Sequence, residues 1–370
     1  MTTTKKFGFL ADFKKAGEKM EGVATTAEPP RYFHSFGNYL LNAIMTGSYD
    51  GGVAQSRVQA IAGPSGSGKS FLAANAIREA QKDGAIILVC DSENALDDEY
   101  MEKIGVDTSE DSGYYYRGVR TMSQVITIVS SFIKGYRAEF GQDREAPKVL
   151  IVIDSLDMLM TDTEFENYNK SSTIKGDQGQ ISKQRKSMLR MFVQDIKELN
   201  IAMLVTHQVY KNQDLLNGEG TWVVNGAVKY SLSQIVLVTA LKLREGSGAA
   251  AEVTGIRLRA EGYKTRFTQP YQKITLEVPY GAGMDPYSGL LEAAVSQGLV
   301  KQGGSWYTLN STGDKFQRKS FDDVKEKILQ ELIETKNPLM VALGEDEEED
   351  INDKTTRKKS LEELIGGLQD

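Results

Sequence analysis

The chain has 370 residues, 40% of them apolar and 26% charged, with a formal charge of −7. That is the make-up of an ordinary soluble globular protein with one large core and one or two small appendages, and no run of about 18 apolar residues marks a membrane span. The single cysteine, Cys90, excludes an internal disulfide, and with only two histidines, His34 and His207, a Cys/His zinc site is close to excluded; a reducing cytosol fits.

The N-terminus carries charges and no long apolar stretch ahead of a small-residue cleavage site, so it does not read as a secretory signal. An amphipathic stretch at about Phe9–Met20 precedes a Thr/Ala/Glu/Pro linker ending at Pro29 and Pro30. From residue 31 the pattern alternates. VQAIAG (58–63) is a short strand, SFLAANAIREAQKDG (70–84) a helix closed by glycine, and AIILVCD (85–91) and VLIVID (149–154) are buried strands. A helical stretch near 121–140 separates the last two. QISKQRKSMLRMFVQDIKELN (180–200) has helical spacing, and IAMLVTHQ (201–208) is a further buried strand. Strands follow at 234–243, 253–262 and 272–280. Strands separated by helices of this length imply a mostly parallel central sheet flanked by helices.

A smaller α/β unit begins near Tyr287, with SGLLEAAVSQGLV, SWYTL and the helix 321–334. Beyond Leu343 the chain is expected to be disordered. The expected organisation is a short N-terminal helical segment (1–30), an α/β core (31–284), a small C-terminal domain (285–340) and an acidic tail (341–370). The tail includes EDEEED at 345–350. With those six acids set aside the body is nearly neutral, and local patches, not net charge, attract phosphates.

The strongest motif is Gly63-Pro64-Ser65-Gly66-Ser67-Gly68-Lys69-Ser70. It satisfies G-x-x-x-x-G-K-[ST] between a strand and a helix. Backbone N–H groups of such a loop cradle phosphates, the helix N-terminus adds positive potential, Lys69 reaches the β- and γ-phosphates, and Ser70 ligates Mg²⁺. ATP and Mg²⁺ are the expected cofactors. Asp154 ends a buried strand, where ligands of open α/β sheets bind. It reads as the acid holding Mg²⁺ through water, or as an N-cap for a helix beyond the strand; beside a phosphate loop the metal role is the stronger. Glu93 lies just past the strand 85–91, where a carboxylate can polarise an attacking water; otherwise it is a solvated loop charge.

The segment D-S-E-N-A-L-D-D-E-Y (91–100) followed by I-G-V-D (104–107) resembles the part of bacterial RecA that carries the catalytic glutamate. VPYGAGMDPYSGLLEAAVSQGLV (278–300) with GGSWYTLN (303–310) is closer still to the UvsX-type recombinases of T-even-type phages. The resemblance covers residues 35–310 and implies a RecA-type ATPase core. It implies that Glu93 activates water and that Asp97 and Tyr100 contact and stack on adenine. Gln208 corresponds to the γ-phosphate sensor, although a one-residue shift would give that role to His207. Lys264 and Arg266, in Y-K-T-R-F, correspond to a basic pair that reaches the ATP of the neighbouring protomer, as an arginine finger does in trans.

The resemblance also assigns the long segments 161–179 and 209–229 as two DNA-binding loops. Trp222 or Val223 would wedge between or stack on bases, beside Gly226. Lys170, Lys175, Lys183, Arg185, Lys186 and Lys229 are candidates for phosphate contacts; a solvated helix face is the plainer account of Lys183, Arg185 and Lys186. Phe7, Phe9 and Phe13 belong to a segment expected to bind the adjacent protomer or the chain's own core. The acidic run either competes with DNA for a basic channel or serves solubility.

The expected function is thus an ATP-dependent recombinase that forms a helical filament on single-stranded DNA and exchanges strands with a homologous duplex, in the cytoplasm (a host's, if phage-encoded). Single-strand-binding and mediator proteins are further possible partners, and no membrane is involved. A RecA-like hexameric helicase or other motor, or a regulatory paralogue without useful turnover, are the alternatives. The match across 278–310 weighs against the motor, and the joint presence of Lys69, Ser70, Glu93, Asp154 and Gln208 against the paralogue.

Overall fold

The computed structural model describes residues 13–16, 28–171, 178–211, 222–245, 252–280 and 283–335. The chain divides into two compact units. The first comprises Met1–Phe36, Asp50–Ser65 and Lys69–Ser233; the second comprises Gly37–Tyr49, Gly66–Gly68 and Gln234–Asp370.

The first unit is built on strands β1 (Phe33–His34), β2 (Val53–Ala54), β3 (Val58–Gly63), β4 (Ile86–Asp91), β5 (Tyr114–Gly118), β6 (Val149–Asp154) and β7 (Ile201–Gln208). Strands β3, β7, β6, β4 and β5 lie side by side in that order, every neighbour parallel. Every residue of β3 and β6 is buried, as expected of central strands covered on both faces. The helix Lys69–Lys82 follows β3, and Met122–Phe140 runs between β5 and β6. The latter starts at a capping box: Thr121 accepts from the Gln124 amide while the Gln124 side chain accepts from the Thr121 amide. Its buried residues Met122, Val125, Val129, Ile133 and Tyr136 recur at three- and four-residue spacing, one face of a helix.

Strands β6 and β7 coincide with the buried strands expected at 149–154 and 201–208. The segment 161–179, expected to be an unstructured loop, contains the helix Asp162–Ser171. The Thr161 hydroxyl accepts from the Glu164 amide, and the Glu164 carboxylate accepts from the Thr161 amide. This capping box lies in the sequence as Thr-Asp-Thr-Glu and starts a helix in spite of its polar composition. The next helix is Gln178–Asp195. After β7, the short strand β8 (Tyr210–Lys211) pairs with β9 (Trp222–Val223), and the helix Gly226–Ser231 follows.

The second unit contains the helix Tyr39–Thr46 and strands β10 (Gln234–Glu245), β11 (Glu252–Lys264) and β12 (Lys273–Pro279). These three run antiparallel, unlike the five above. The connections 246–251 and 265–272 are too short for a parallel crossover, which needs about a dozen residues or more. At Gly255 an added Cβ would stand 2.4 Å from the Val278 carbonyl oxygen, so only glycine admits the approach of β11 to β12 there. The C-terminal part has the helix Leu290–Ser296, the antiparallel strands β13 (Val300–Gly303), β14 (Trp306–Leu309) and β15 (Lys315–Gln317), and the helix Lys325–Glu334. Its interior joins Leu290, Leu291, Leu309, Ile328 and Leu332 to the stacked pair Tyr307 and Phe316.

Of the N-terminal amphipathic stretch, residues 13–16 are described and helical. Phe7, Phe9, Lys175, the loop centre 212–221 and the tail 341–370 lie outside the described residues. Among the described residues no helix is long and apolar enough to cross a membrane.

Candidate nucleotide site

Four strand ends define the site, at the carboxyl edge where open parallel sheets bind ligands. Gly63 of β3 stands beside Gln208 of β7, and Asp91 of β4 stands beside Asp154 of β6. The loop from Gly63 turns into the helix that begins at Lys69. Gly66 and Gly68 have φ of +72° and +90°, the left-handed region that side chains disfavour, which is why glycine occupies these two positions of the motif.

Lys69 is 8% exposed, and its ammonium donates to the Pro64 carbonyl at 3.0 Å. Burial holds its pKa below the usual lysine value, against the opposing pull of Glu93, Asp154 and Asp157. A phosphate oxygen at the loop would be a stronger, charged acceptor for the same ammonium.

Asp154 is buried to 1% exposure. One carboxylate oxygen accepts from the Thr206 hydroxyl, while Oδ2 is buried without a well-formed hydrogen bond, the Ser70 hydroxyl lying nearby. Burial holds its carboxyl above the usual range. The hydroxyls of Thr206 and Ser70 act in the opposite sense, and the neighbouring Glu93 and Asp91 add to the rise. An orphaned, buried carboxylate oxygen near the Ser70 hydroxyl fits a divalent cation, which would supply the missing positive partner. Ser67 Oγ, within the loop, is also buried without a partner, a polar atom suited to a phosphate.

Glu93 is set by Asp91. The Asp91 carboxylate, 2% exposed, accepts the backbone N–H groups of Glu93, Asn94, Ala95 and Leu96 at 2.8–3.0 Å and the Tyr116 hydroxyl at 3.2 Å. Asp91 thereby replaces a strand ladder with a tight loop that presents Glu93 at the edge. Ser155 donates to Glu93 Oε1 at 2.5 Å, and Ser92 and Ser155 exchange two hydrogen bonds at 2.8 and 3.0 Å. The Asp154–Ser155 peptide bond is cis.

His207 and Gln208 occupy successive positions of β7, so their side chains face opposite sides of the sheet. His207 is fully buried with Nδ1 2.8 Å from Asp157 Oδ2. Gln208 is half-buried beside Gly63, and its backbone N–H donates to the same oxygen at 2.5 Å. Of the two candidates for the sensor position, Gln208 is the one with an accessible side chain.

Asp97 is exposed and caps the helix Asp98–Ile104 by accepting from the Tyr100 amide at 2.9 Å. Tyr100 is half-buried, and burial pushes its phenol up to about 12. In the second unit, Lys264 ends β11 and Arg266 is exposed two residues on. Thr265 between them accepts from the Phe267 and Thr268 amides and donates to the Met45 carbonyl, fixing the turn that carries both cations.

The proposed DNA-side residues differ in placement. Lys170 is exposed and paired with Glu166 at 3.1 Å, and Lys183 and Lys186 are exposed on the helix Gln178–Asp195. Arg185, expected as a phosphate contact or a solvated cation, is instead 6% exposed and ion-paired with Asp157 at 3.2 Å. The reason is its turn of the helix, which faces the unit's interior beside the buried Met188 and Leu189. Trp222 and Val223 are half-buried in β9, Gly226 is exposed at a helix start, and Lys229 is half-buried.

Sequence reasoning passed over Asp91, Ser155, Asp157 and Thr206. For Asp91 a signal was present: IILVCD and VLIVID are matched strands ending in aspartate, and only the second was given a role.

A RecA N-terminal domain family model matches residues 33–285. The RecA protein of Thermus aquaticus is 27% identical over 307 residues, 81% of this chain and 85% of that protein. The RecA protein of Treponema denticola is 28% identical over 326 residues, 85% and 73% of the two chains. That of Borreliella burgdorferi is 28% identical over 260 residues, 70% and 67%.

Proposed function

From the premise that this chain belongs to the RecA family, we propose that it is a DNA-dependent ATPase that assembles into a filament on single-stranded DNA and exchanges strands with a homologous duplex. The observation that carries the ATPase is the orphaned, buried Asp154 carboxylate oxygen beside Ser70 and Lys69, with Glu93 held at the same edge. ATP is the substrate. Ser70 and Asp154 would hold Mg²⁺, which would supply positive charge to offset that of the phosphates. Lys69 leaves the Pro64 carbonyl for a phosphate oxygen. Glu93 orients and deprotonates the attacking water while Ser155 restrains the carboxylate. Asp97 and Tyr100 line the adenine. Gln208, on the strand that leads to 209–229, reports the γ-phosphate to that segment.

Lys264 and Arg266 act on the nucleotide of a neighbouring protomer. Lys170, Lys175, Lys183, Lys186 and Lys229 contact phosphates of DNA, and Trp222, Val223 and Gly226 meet its bases. Arg185, being buried, is left out of that set. The resemblance of 278–310 to UvsX-type proteins makes a phage recombinase, acting in a host cytoplasm with single-strand-binding and mediator proteins, the finer form of the proposal.

The test is ATP hydrolysis with and without single-stranded DNA, with electron microscopy of the same mixtures. Stimulated turnover on filaments supports the proposal. DNA-independent turnover on closed rings supports a motor instead, and nucleotide binding without turnover a regulatory paralogue.

A further inference from the structure

Three segments far apart in sequence meet at one buried carboxylate. Asp157 follows β6 by three residues; His207 and Gln208 end β7; Arg185 lies on the helix Gln178–Asp195. Asp157 Oδ2 accepts from the Gln208 backbone N–H at 2.5 Å and lies 2.8 Å from His207 Nδ1, while Oδ1 pairs with Arg185 Nη1 at 3.2 Å. The side chains of Asp157, Arg185 and His207 are 8%, 7% and 0% exposed.

Burying a carboxylate and a guanidinium is costly, and well-packed apolar side chains often serve stability as well or better. Core packing alone therefore does not account for the pair. The two oxygens have separate tasks, one on the strand that borders the phosphate loop and one on a helix that follows residues 172–177. Arg185 Nε and His207 Nε2 remain buried without partners, so the network is not locked by complete hydrogen bonding.

We propose that Asp157 is a positioning residue that transmits the state of the phosphate loop to the helix Gln178–Asp195 through Arg185. The end of β7 and the helix hold the same carboxylate, so a shift of Gln208 toward a bound phosphate moves Asp157 and, with it, the guanidinium and its helix. The segments 161–179 and 209–229 adjoin these two elements. The inference rests on the nucleotide-binding reading of the loop and not on the identity of the DNA.

Hydrogen exchange of the full-length chain, with and without Mg²⁺ and a non-hydrolysable ATP analogue, tests it in wild type, Asp157→Asn and Arg185→Met. In wild type the analogue slows exchange at 63–70, 205–211 and 178–195. Arg185→Met keeps the first two responses and loses the third. Asp157→Asn loses the second and third, and the Gln208 amide exchanges at least about tenfold faster, the scale of one lost charge-assisted hydrogen bond. Protection of β3 and β6 reports whether each variant is folded; if Asp157→Asn is not, Arg185→Met carries the test. A wild-type response at 178–195 in folded Arg185→Met overturns the inference, as does protection at 63–70 with no response of the helix in wild type. Loss of β3 and β6 protection in both variants reduces the network to a structural role. No protection at 63–70 in wild type refutes nucleotide binding itself, and the inference with it.

Discussion

Ser155 donates its hydroxyl proton to the Glu93 carboxylate across 2.5 Å, joining the loop after β4 to the residue that follows Asp154. The same serine exchanges hydrogen bonds with Ser92, so the candidate base and the candidate metal ligand are held in one frame. Glu93→Gln should lower DNA-stimulated ATP turnover by about 10²–10⁴-fold, the usual contribution of a positioned general base, with nucleotide affinity nearly unchanged. Ser155→Ala should cost less, because it loosens the carboxylate without removing it. Turnover of Glu93→Gln within threefold of wild type would sink the assignment.

Asp154 supplies a pH-dependent prediction. Burial raises its carboxyl pKa above the usual aspartate value in the folded, nucleotide-free protein. Folding then favours the protonated form. That contribution is fully present below the usual aspartate range and is lost as pH rises through the folded value. Asp154→Asn should therefore melt higher than wild type at neutral pH without nucleotide, with the gap closing toward acid. Adding Mg²⁺ and ATP should stabilise wild type far more than the variant. A melting difference that does not vary with pH would remove burial as its cause.

Trp222 is half-buried on β9, at the edge of the segment proposed to meet bases. Trp222→Ala should weaken single-stranded DNA binding by roughly five- to a hundredfold, the range of one lost stacking contact, and leave DNA-free nucleotide binding intact. Fluorescence anisotropy with a labelled oligonucleotide decides it, and unchanged affinity would assign Trp222 to local packing.

Lys264 and Arg266 should work across a protomer boundary. Lys69→Ala and Arg266→Ala should each be nearly inactive alone on DNA. Mixed in equal amounts they should regain roughly a quarter of wild-type turnover, since in a head-to-tail assembly that share of interfaces pairs an intact loop with an intact arginine. No recovery in co-assembled filaments would place Arg266 in its own protomer's site or outside catalysis.

The sequence by itself determined the phosphate loop and the buried strands that frame it. Gly63–Ser70 is a local motif whose backbone demands show as glycines at fixed offsets, with positive φ at Gly66 and Gly68. Val149–Asp154 and Ile201–Gln208 show as continuous apolar runs, because strands covered on both faces have no polar side to alternate. Those signals lie within a few consecutive residues. Only the tertiary structure decided which acids meet. Asp91 faces Asp154 because β4 and β6 are neighbours in register, and nothing local to either strand states that pairing. Arg185 resembles its exposed neighbours Lys183 and Lys186 in sequence, yet it points inward to Asp157, since a helix turns about 100° per residue and only the packed sheet defines its inner side. The helix Asp162–Ser171 was legible only through its capping box, its composition arguing against it. The antiparallel run of β10, β11 and β12 followed from short connections, not from the strands. Motifs fix chemistry where the chain binds with its own backbone; partnerships between distant side chains arise from strand register and helix facing, which only packing sets.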